Sequence, residues 1–333
     1  MSSRPVIHDN HGRPITYLRL SVTDRCNLRC NYCMPEQTTF VAKEKLLSYE
    51  ELIRLVQIFA DLGIYKVRIT GGEPFVRKDI MTLLRGINNI EGINSIHLTT
   101  NGVLTAPHVN ELKNLGIDSV NLSLDTLDRQ RFYQITRRDM LNKVMETFYA
   151  LLDTDINVKI NAVIVKDLNT QDIISLAKLT KKYPVAVRFI EEMPFNGTDS
   201  YYEKLEWDYQ RIVKELNNHF GEFEKAESSP NSTSINYKIP GHKGEVGVIS
   251  AYSRTFCGTC NRIRLTALGM LKTCLYDDGV LNIRHLLRAG KSNAQIKNEL
   301  KKVFNNRVEN GFQAERDRSN KLPVSESMSV IGG

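Results

Sequence analysis

The stretch TYLRLSVTDRCNLRCNYC, residues 16–33, decides how the rest of the chain is read. Residues 16–22 read as a strand. That strand runs directly into Cys26, Cys30 and Cys33, which puts three thiols into eight residues. A structural zinc site usually takes four protein ligands, and a redox pair needs only two cysteines. His8 and His11 lie on the far side of the strand. Three thiolates suit a cubane iron–sulfur cluster in which one iron has no protein ligand. A closed cluster carries electrons, whereas an open one can also hold a reacting molecule.

The other cysteines, Cys257, Cys260 and Cys274, form a second trio with C-x2-C-x13-C spacing. C-x2-C alone favours a zinc ribbon, but the missing fourth cysteine turns the preference toward a second open cluster. Local disulfides would leave a thiol over in each trio. Arg262 and Arg264 follow at once and alternate as on a strand, so both point to one side. Such a pair offers bidentate contacts to phosphate or carboxylate oxygens. A solvated edge strand is the plainer alternative.

Working outward, the chain alternates strand and helix. Strands are predicted at 16–22, 65–70, 95–100, 119–124, 157–165 and 186–191. Helices are predicted at 48–62, 79–87, 107–115, 139–152 and 170–182. Ser48 and Glu51 form a capping box, with Leu52, Val56 and Phe59 as the apolar stripe and Gly63 as the stop. Six such units argue for a parallel sheet with crossover helices. An open, partial barrel and a doubly wound sheet both fit. Beyond residue 200 the pattern changes to a helix near 207–219, a hairpin over 234–250 and a basic helix at 293–304. This reads as a smaller appended domain, giving a division at 1–200 and 201–333.

Sites on parallel sheets gather at the carboxyl ends of the strands. Those ends are polar here: Arg19; Lys66 and Arg68 leading to Gly71-Gly72-Glu73-Pro74; Thr99 before Asn101-Gly102; Ser123; Lys159; and Arg188 before Met193. Each alone could be a turn or a solvated side chain. Lys159 is the sharpest, because its strand reads as nearly continuous buried chain and a buried ammonium is costly unless it meets an anion.

The 333 residues suggest about two domains. A 41% hydrophobic and 25% charged composition is that of an ordinary soluble protein. No apolar run is long enough for a membrane span, and the start has no secretory signal, so the cytoplasm is expected. The net charge of +7 is compatible with a phosphate-bearing partner. The basic residues form no single block, which argues against a nucleic-acid partner, and the lack of a long apolar run argues against a membrane partner.

CNLRCNYC has the spacing of the radical S-adenosylmethionine enzymes, and Gly-Gly-Glu-Pro after the second strand is their second hallmark. With VRITGGEPFVRKD, LTTNG, SLD, RFIEEM, FCGTCNRIRLT and the final SVIGG, the chain resembles the GTP 3′,8-cyclase family from about residue 7 to the end. The resemblance implies an incomplete (βα)6 TIM-type barrel of the α/β class with a smaller C-terminal α+β domain. It implies a [4Fe-4S] cluster on Cys26, Cys30 and Cys33 that chelates S-adenosyl-L-methionine, and a second on Cys257, Cys260 and Cys274 that receives the substrate.

By the same resemblance, Tyr32, Gly72, Ser123 and Met193 contact S-adenosylmethionine. Arg19, Lys66, Arg68, Thr99, Lys159, Arg188, Arg262 and Arg264 line the GTP site. Gly332 and Gly333 reach the active site with Arg262 and Arg264; by composition alone a terminal Gly-Gly is merely loose chain. The reaction implied is the first step of molybdenum cofactor biosynthesis, a radical lyase reaction. Its partners are GTP, an electron donor, a downstream cyclic pyranopterin monophosphate synthase and a second copy of the chain in a homodimer. The segment 305–326 shows no motif of the family and lacks a histidine expected there.

Overall fold

Ser48 accepts from the Glu51 amide while the Glu51 carboxylate accepts from the Ser48 amide, and the first helix starts there. The structure is a computed structural model that describes residues 5–193, 195, 206–228, 231–318 and 327–332. Its first half runs β1 (Tyr17–Ser21), α1 (Tyr49–Asp61), β2 (Lys66–Thr70), α2 (Ile80–Asn88), β3 (Ser95–Thr100), α3 (Val109–Asn114) and β4 (Ser119–Ser123). Then come α4 (Arg129–Thr136), α5 (Leu141–Leu152), β5 (Asn157–Ile164), α6 (Ile173–Ala177), α7 (Leu179–Lys182) and β6 (Ala186–Glu191). The helix expected over 170–182 is broken into pieces, and α4 was not foreseen.

The second half runs α8 (Tyr209–Phe220), β7 (Glu224–Lys225), β8 (Ser234–Lys238), β9 (Glu245–Ile249), β10 (Arg262–Leu265), β11 (Met270–Lys272) and β12 (Leu281–Asn282). It closes with α9 (Ile283–Arg288), α10 (Asn293–Phe304), α11 (Gly311–Arg316) and α12 (Met328–Ile331). The expected hairpin is β8 and β9, antiparallel.

β1 to β6 pair in parallel in chain order, as an incomplete (βα)6 barrel requires. The C-terminal half builds no sheet of its own among the described residues. β10 adds in parallel to β1 and β9 adds in parallel to β6, so one sheet runs β12-β11-β10-β1-β2-β3-β4-β5-β6-β9-β8-β7.

Alternation then sorts the side chains. Leu18, Leu20, Val67, Ile69, Leu98, Val120, Leu122, Ile160, Val187, Phe189, Ile263 and Leu265 are buried in one continuous core with residues of the covering helices. Each such side chain stabilises the fold by roughly 1.5–3 kcal/mol when fully buried. The opposite parity carries Tyr17, Arg19, Lys66, Arg68, Lys159, Asn161, Arg188, Arg262 and Arg264 into the barrel. β5 is therefore not the continuously buried strand that its composition suggests; Lys159 and Asn161 are only partly buried because they face a cavity.

Candidate active site

Register brings the inward residues together. Arg19 pairs with Arg68 on one side and Arg264 on the other, Tyr17 with Lys66 and Arg262, and Asn161 with Arg188. They line a cavity of about 540 Å³ that also takes Lys159, Met193 and all of Cys257, Cys260 and Cys274. Arg68 Nε donates to Tyr17 Oη at 2.5 Å, and its Nη1 to the Leu98 carbonyl at 2.7 Å and to Thr99 Oγ1 at 3.4 Å. Arg188 donates twice to Asn161 Oδ1, at 2.9 and 2.7 Å. Arg262 Nη2 donates to the Asn231 carbonyl at 2.8 Å.

So many cations in one buried space disturb one another. Burial, then Arg188, Arg68 and Lys66, pushes Lys159 down to about 8. Burial and Arg68 bring Arg188 to about 9; burial and Arg262 bring Arg264 to about 10. Burial would raise the Tyr17 phenol, but Arg68, Arg19 and Lys66 together pull it down to about 7. His97, buried beside the same cations, falls to about 2 and serves as a neutral spacer between Ser95 and Ser119. Such a cavity favours a ligand carrying several negative charges.

The first cysteine trio lies on the loop after β1, at the carboxyl ends of the strands. Gly72 N donates to the Thr23 carbonyl and Glu73 N to the Arg25 carbonyl, each at 2.8 Å. A Cβ on Gly72 would stand 2.3 Å from the Arg25 carbonyl oxygen, so only glycine allows this approach. The buried Glu73 carboxylate accepts from Phe75 N, Thr100 Oγ1 and Asn101 N, and so locks this loop to the one after β3. Asn101 in turn donates to Cys26 Sγ at 3.6 Å, as does Leu28 N at 3.4 Å. Tyr32 Oη donates to Asp125 Oδ2 at 2.8 Å, so the side chain of Tyr32 is already engaged. Ser123 is half-buried at the end of β4.

Both trios fit an iron–sulfur cluster by their donor set: three free cysteines each, the composition of Cys-ligated clusters rather than of a zinc site. Among the described residues no three His, Cys, Asp or Glu side chains close on a single ion. Burial pushes Cys26 up to about 11 and Cys33 and Cys274 up to about 12, so thiolates here call for a cationic centre beside them. Cys260 differs: burial raises it, but Arg262 and Arg307 together bring it below the usual thiol value.

Sequence reasoning missed Arg307, Arg13 and Tyr17. It named Glu73 only as part of the Gly-Gly-Glu-Pro motif, without a role for its carboxylate. The chain end also arrives here. Ser327 Oγ donates to the Cys33 carbonyl at 2.8 Å, and the Gly332 carbonyl accepts from Arg264 at 2.8 Å and Arg19 at 3.4 Å. Gly333 lies outside the described residues.

A partial barrel with three cysteines after its first strand is the architecture of the radical S-adenosylmethionine enzymes. Residues 20–180 match the family model described as "Radical SAM superfamily", and residues 185–312 the one described as "Molybdenum Cofactor Synthesis C". The fold is similar to that of Streptococcus suis SuiB crystallised with S-adenosylmethionine, with TM-score 0.62 and 17% identity over 87% of this chain and 69% of that one.

The chain belongs to the GTP 3′,8-cyclase family. It is 39% identical to the GTP 3′,8-cyclase of Clostridium perfringens over 98% of this chain and 99% of that protein. It is 41% identical to molybdenum cofactor biosynthesis protein 1 of Dictyostelium discoideum over 87% of this chain but 47% of that protein. The chain thus spans about half the length of several curated relatives that it matches. Among the described residues no helix is long and apolar enough to cross a membrane.

Proposed function

We propose that this chain converts GTP to (8S)-3′,8-cyclo-7,8-dihydroguanosine 5′-triphosphate with a 5′-deoxyadenosyl radical drawn from S-adenosylmethionine. The observation that carries this reading is the single cavity in which Arg262, Arg264 and the distal cysteines face Arg19, Lys66, Arg68, Lys159 and Arg188. When bound, the two clusters supply the electron that cleaves S-adenosylmethionine and an open iron for the purine base.

The chain's own residues bind and orient. The cations hold the triphosphate by charge-assisted bonds, which fixes the ribose and keeps it from rotating away from the radical. Thr99 supports this from behind Arg68. Tyr32, Gly72, Ser123 and Met193 bound the S-adenosylmethionine side, Gly72 through a backbone drawn tight against the start of the cysteine loop. Gly332 brings the tail carbonyl between Arg19 and Arg264.

In this reading residues 1–200 supply the radical half and residues 201–333 the distal cysteines, the arginine pair and the tail. The partners are GTP, an electron donor, a cyclic pyranopterin monophosphate synthase that takes the product onward, and a second copy of the chain. The test is anaerobic turnover of GTP with S-adenosylmethionine, scoring 5′-deoxyadenosine and cyclised nucleotide together. 5′-Deoxyadenosine formed without any cyclised nucleotide would reject the substrate assignment.

A further inference from the structure

Arg307 lies near the end of the C-terminal family match, where the sequence alone showed no recognisable motif, and its guanidinium is buried against the distal trio, with the residue 3% exposed. Its Nη2 donates to Cys260 Sγ at 3.3 Å and to the Arg262 carbonyl at 2.8 Å. Its Nη1 donates to the Cys260 carbonyl at 2.9 Å, and its Nε to the carbonyl of Thr273, next to Cys274, at 3.1 Å. Asp9 anchors it from the other side, with Oδ2 at 3.3 Å from Arg307 Nη1 and 2.7 Å from Arg13 Nε. Arg13 Nη1 in turn donates to the Cys257 carbonyl at 3.2 Å. Two guanidiniums sharing one carboxylate therefore hold the backbone at or beside every cysteine of the trio.

We propose that Arg307, anchored by Asp9, is the positioning residue of the distal centre: it fixes Cys260 and favours the electron-rich state of the cluster bound there. This rests on the reading that the trio holds a cluster. A clamp on carbonyls alone would be structural. The contact to the ligand sulfur is what adds a redox effect, because a cationic donor at a cluster sulfur stabilises added negative charge and raises the reduction potential. Lysine keeps the charge but cannot reproduce the fork that serves sulfur and carbonyls together.

The experiment uses the full chain carrying Cys26→Ala, Cys30→Ala and Cys33→Ala, so that only the distal trio can load iron. After anaerobic reconstitution, an EPR-monitored redox titration and the rate of iron loss to a chelator are recorded. Arg307→Gln is expected to lower the midpoint potential and to speed iron loss by about 10- to 100-fold. Arg307→Lys is expected to restore much of the potential while still losing iron faster than its parent.

An Arg307→Gln protein with unchanged potential overturns the proposal, whether or not iron is lost faster, since loss alone marks a packing role. Should that variant fail to fold, Arg307→Lys decides: parental iron retention overturns the proposal. A parent that loads no iron rejects the cluster reading itself, and this inference with it.

Discussion

Arg264 on β10 and Arg19 on β1 sit in register and both reach the carbonyl oxygen of Gly332, at 2.8 and 3.4 Å. Two like charges from opposite ends of the sequence thus meet at one acceptor supplied by the tail. The tail oxygen relieves their repulsion, and their donors hold the tail inside the barrel.

Gly332 has φ of +76°, and a Cβ there would stand 2.6 Å from Thr70 Cγ2. The left-handed conformation alone costs a non-glycine residue about 1–2 kcal/mol. Gly332→Ala is therefore expected to lower cyclisation about tenfold while leaving the melting temperature nearly unchanged, as only the docked tail is strained. Wild-type turnover in this variant would mean that the docked tail has no part in the reaction.

Removing one cation from the cavity should be felt in binding. Hydrogen bonds to charged groups contribute about 1.5–3 kcal/mol, so Arg264→Ala or Arg262→Ala is expected to weaken GTP binding about 10- to 100-fold. Lysine at either position should recover little of the loss, because it lacks the planar fork. Equilibrium dialysis with GTP under anaerobic conditions measures this, and unaltered affinity in both alanine variants would exclude the arginine pair from the substrate site.

The cavity also predicts a pH dependence. Below pH 7 the phenol of Tyr17 is neutral and Lys159 is charged, so the cavity is most positive. Raising the pH through about 7 makes Tyr17 anionic, and through about 8 makes Lys159 neutral. Both steps remove positive charge, so GTP affinity should fall between about pH 7 and 9. Tyr17→Phe should remove the lower step and Lys159→Gln the upper.

Stability of the ligand-free chain should move the other way. Both folded values lie below the unfolded ones, near 10 and 10.4, so the native state binds fewer protons than the unfolded state across that window. Stability should therefore rise with pH from about 7 toward 10. Urea titrations across that range check the sign, and a decline would contradict it.

The two halves share one sheet, so a fragment of residues 1–200 should not behave as a folded domain. It would leave β1 without β10 and β6 without β9, exposing both edges of the barrel. The expected result is aggregation on gel filtration with a weakened far-ultraviolet signal. A monomeric fragment with sharp thermal unfolding would show that the barrel half folds alone.

Iron content tests the trios independently of turnover. Two four-iron cubanes would give about eight irons per chain, and about four after either trio is replaced by alanine. Zinc in place of iron in anaerobically prepared protein would refute the assignment of the thiols.

By itself the sequence determined the local features. The six strands and most of the helices between them followed from periodicity and caps, because those signals act over a few residues. The grouping of cysteines by threes and the same-side pointing of Arg262 and Arg264 followed from spacing alone. Tertiary structure decided what no local pattern encodes. It placed β10 beside β1 and so set Arg264 against Arg19, 245 positions apart in the chain. It brought Arg307 to Cys260 and Asp9, and the tail to both arginines. These contacts depend on register and chain path through the whole sheet, and a single side chain carries no mark of a partner that only folding delivers.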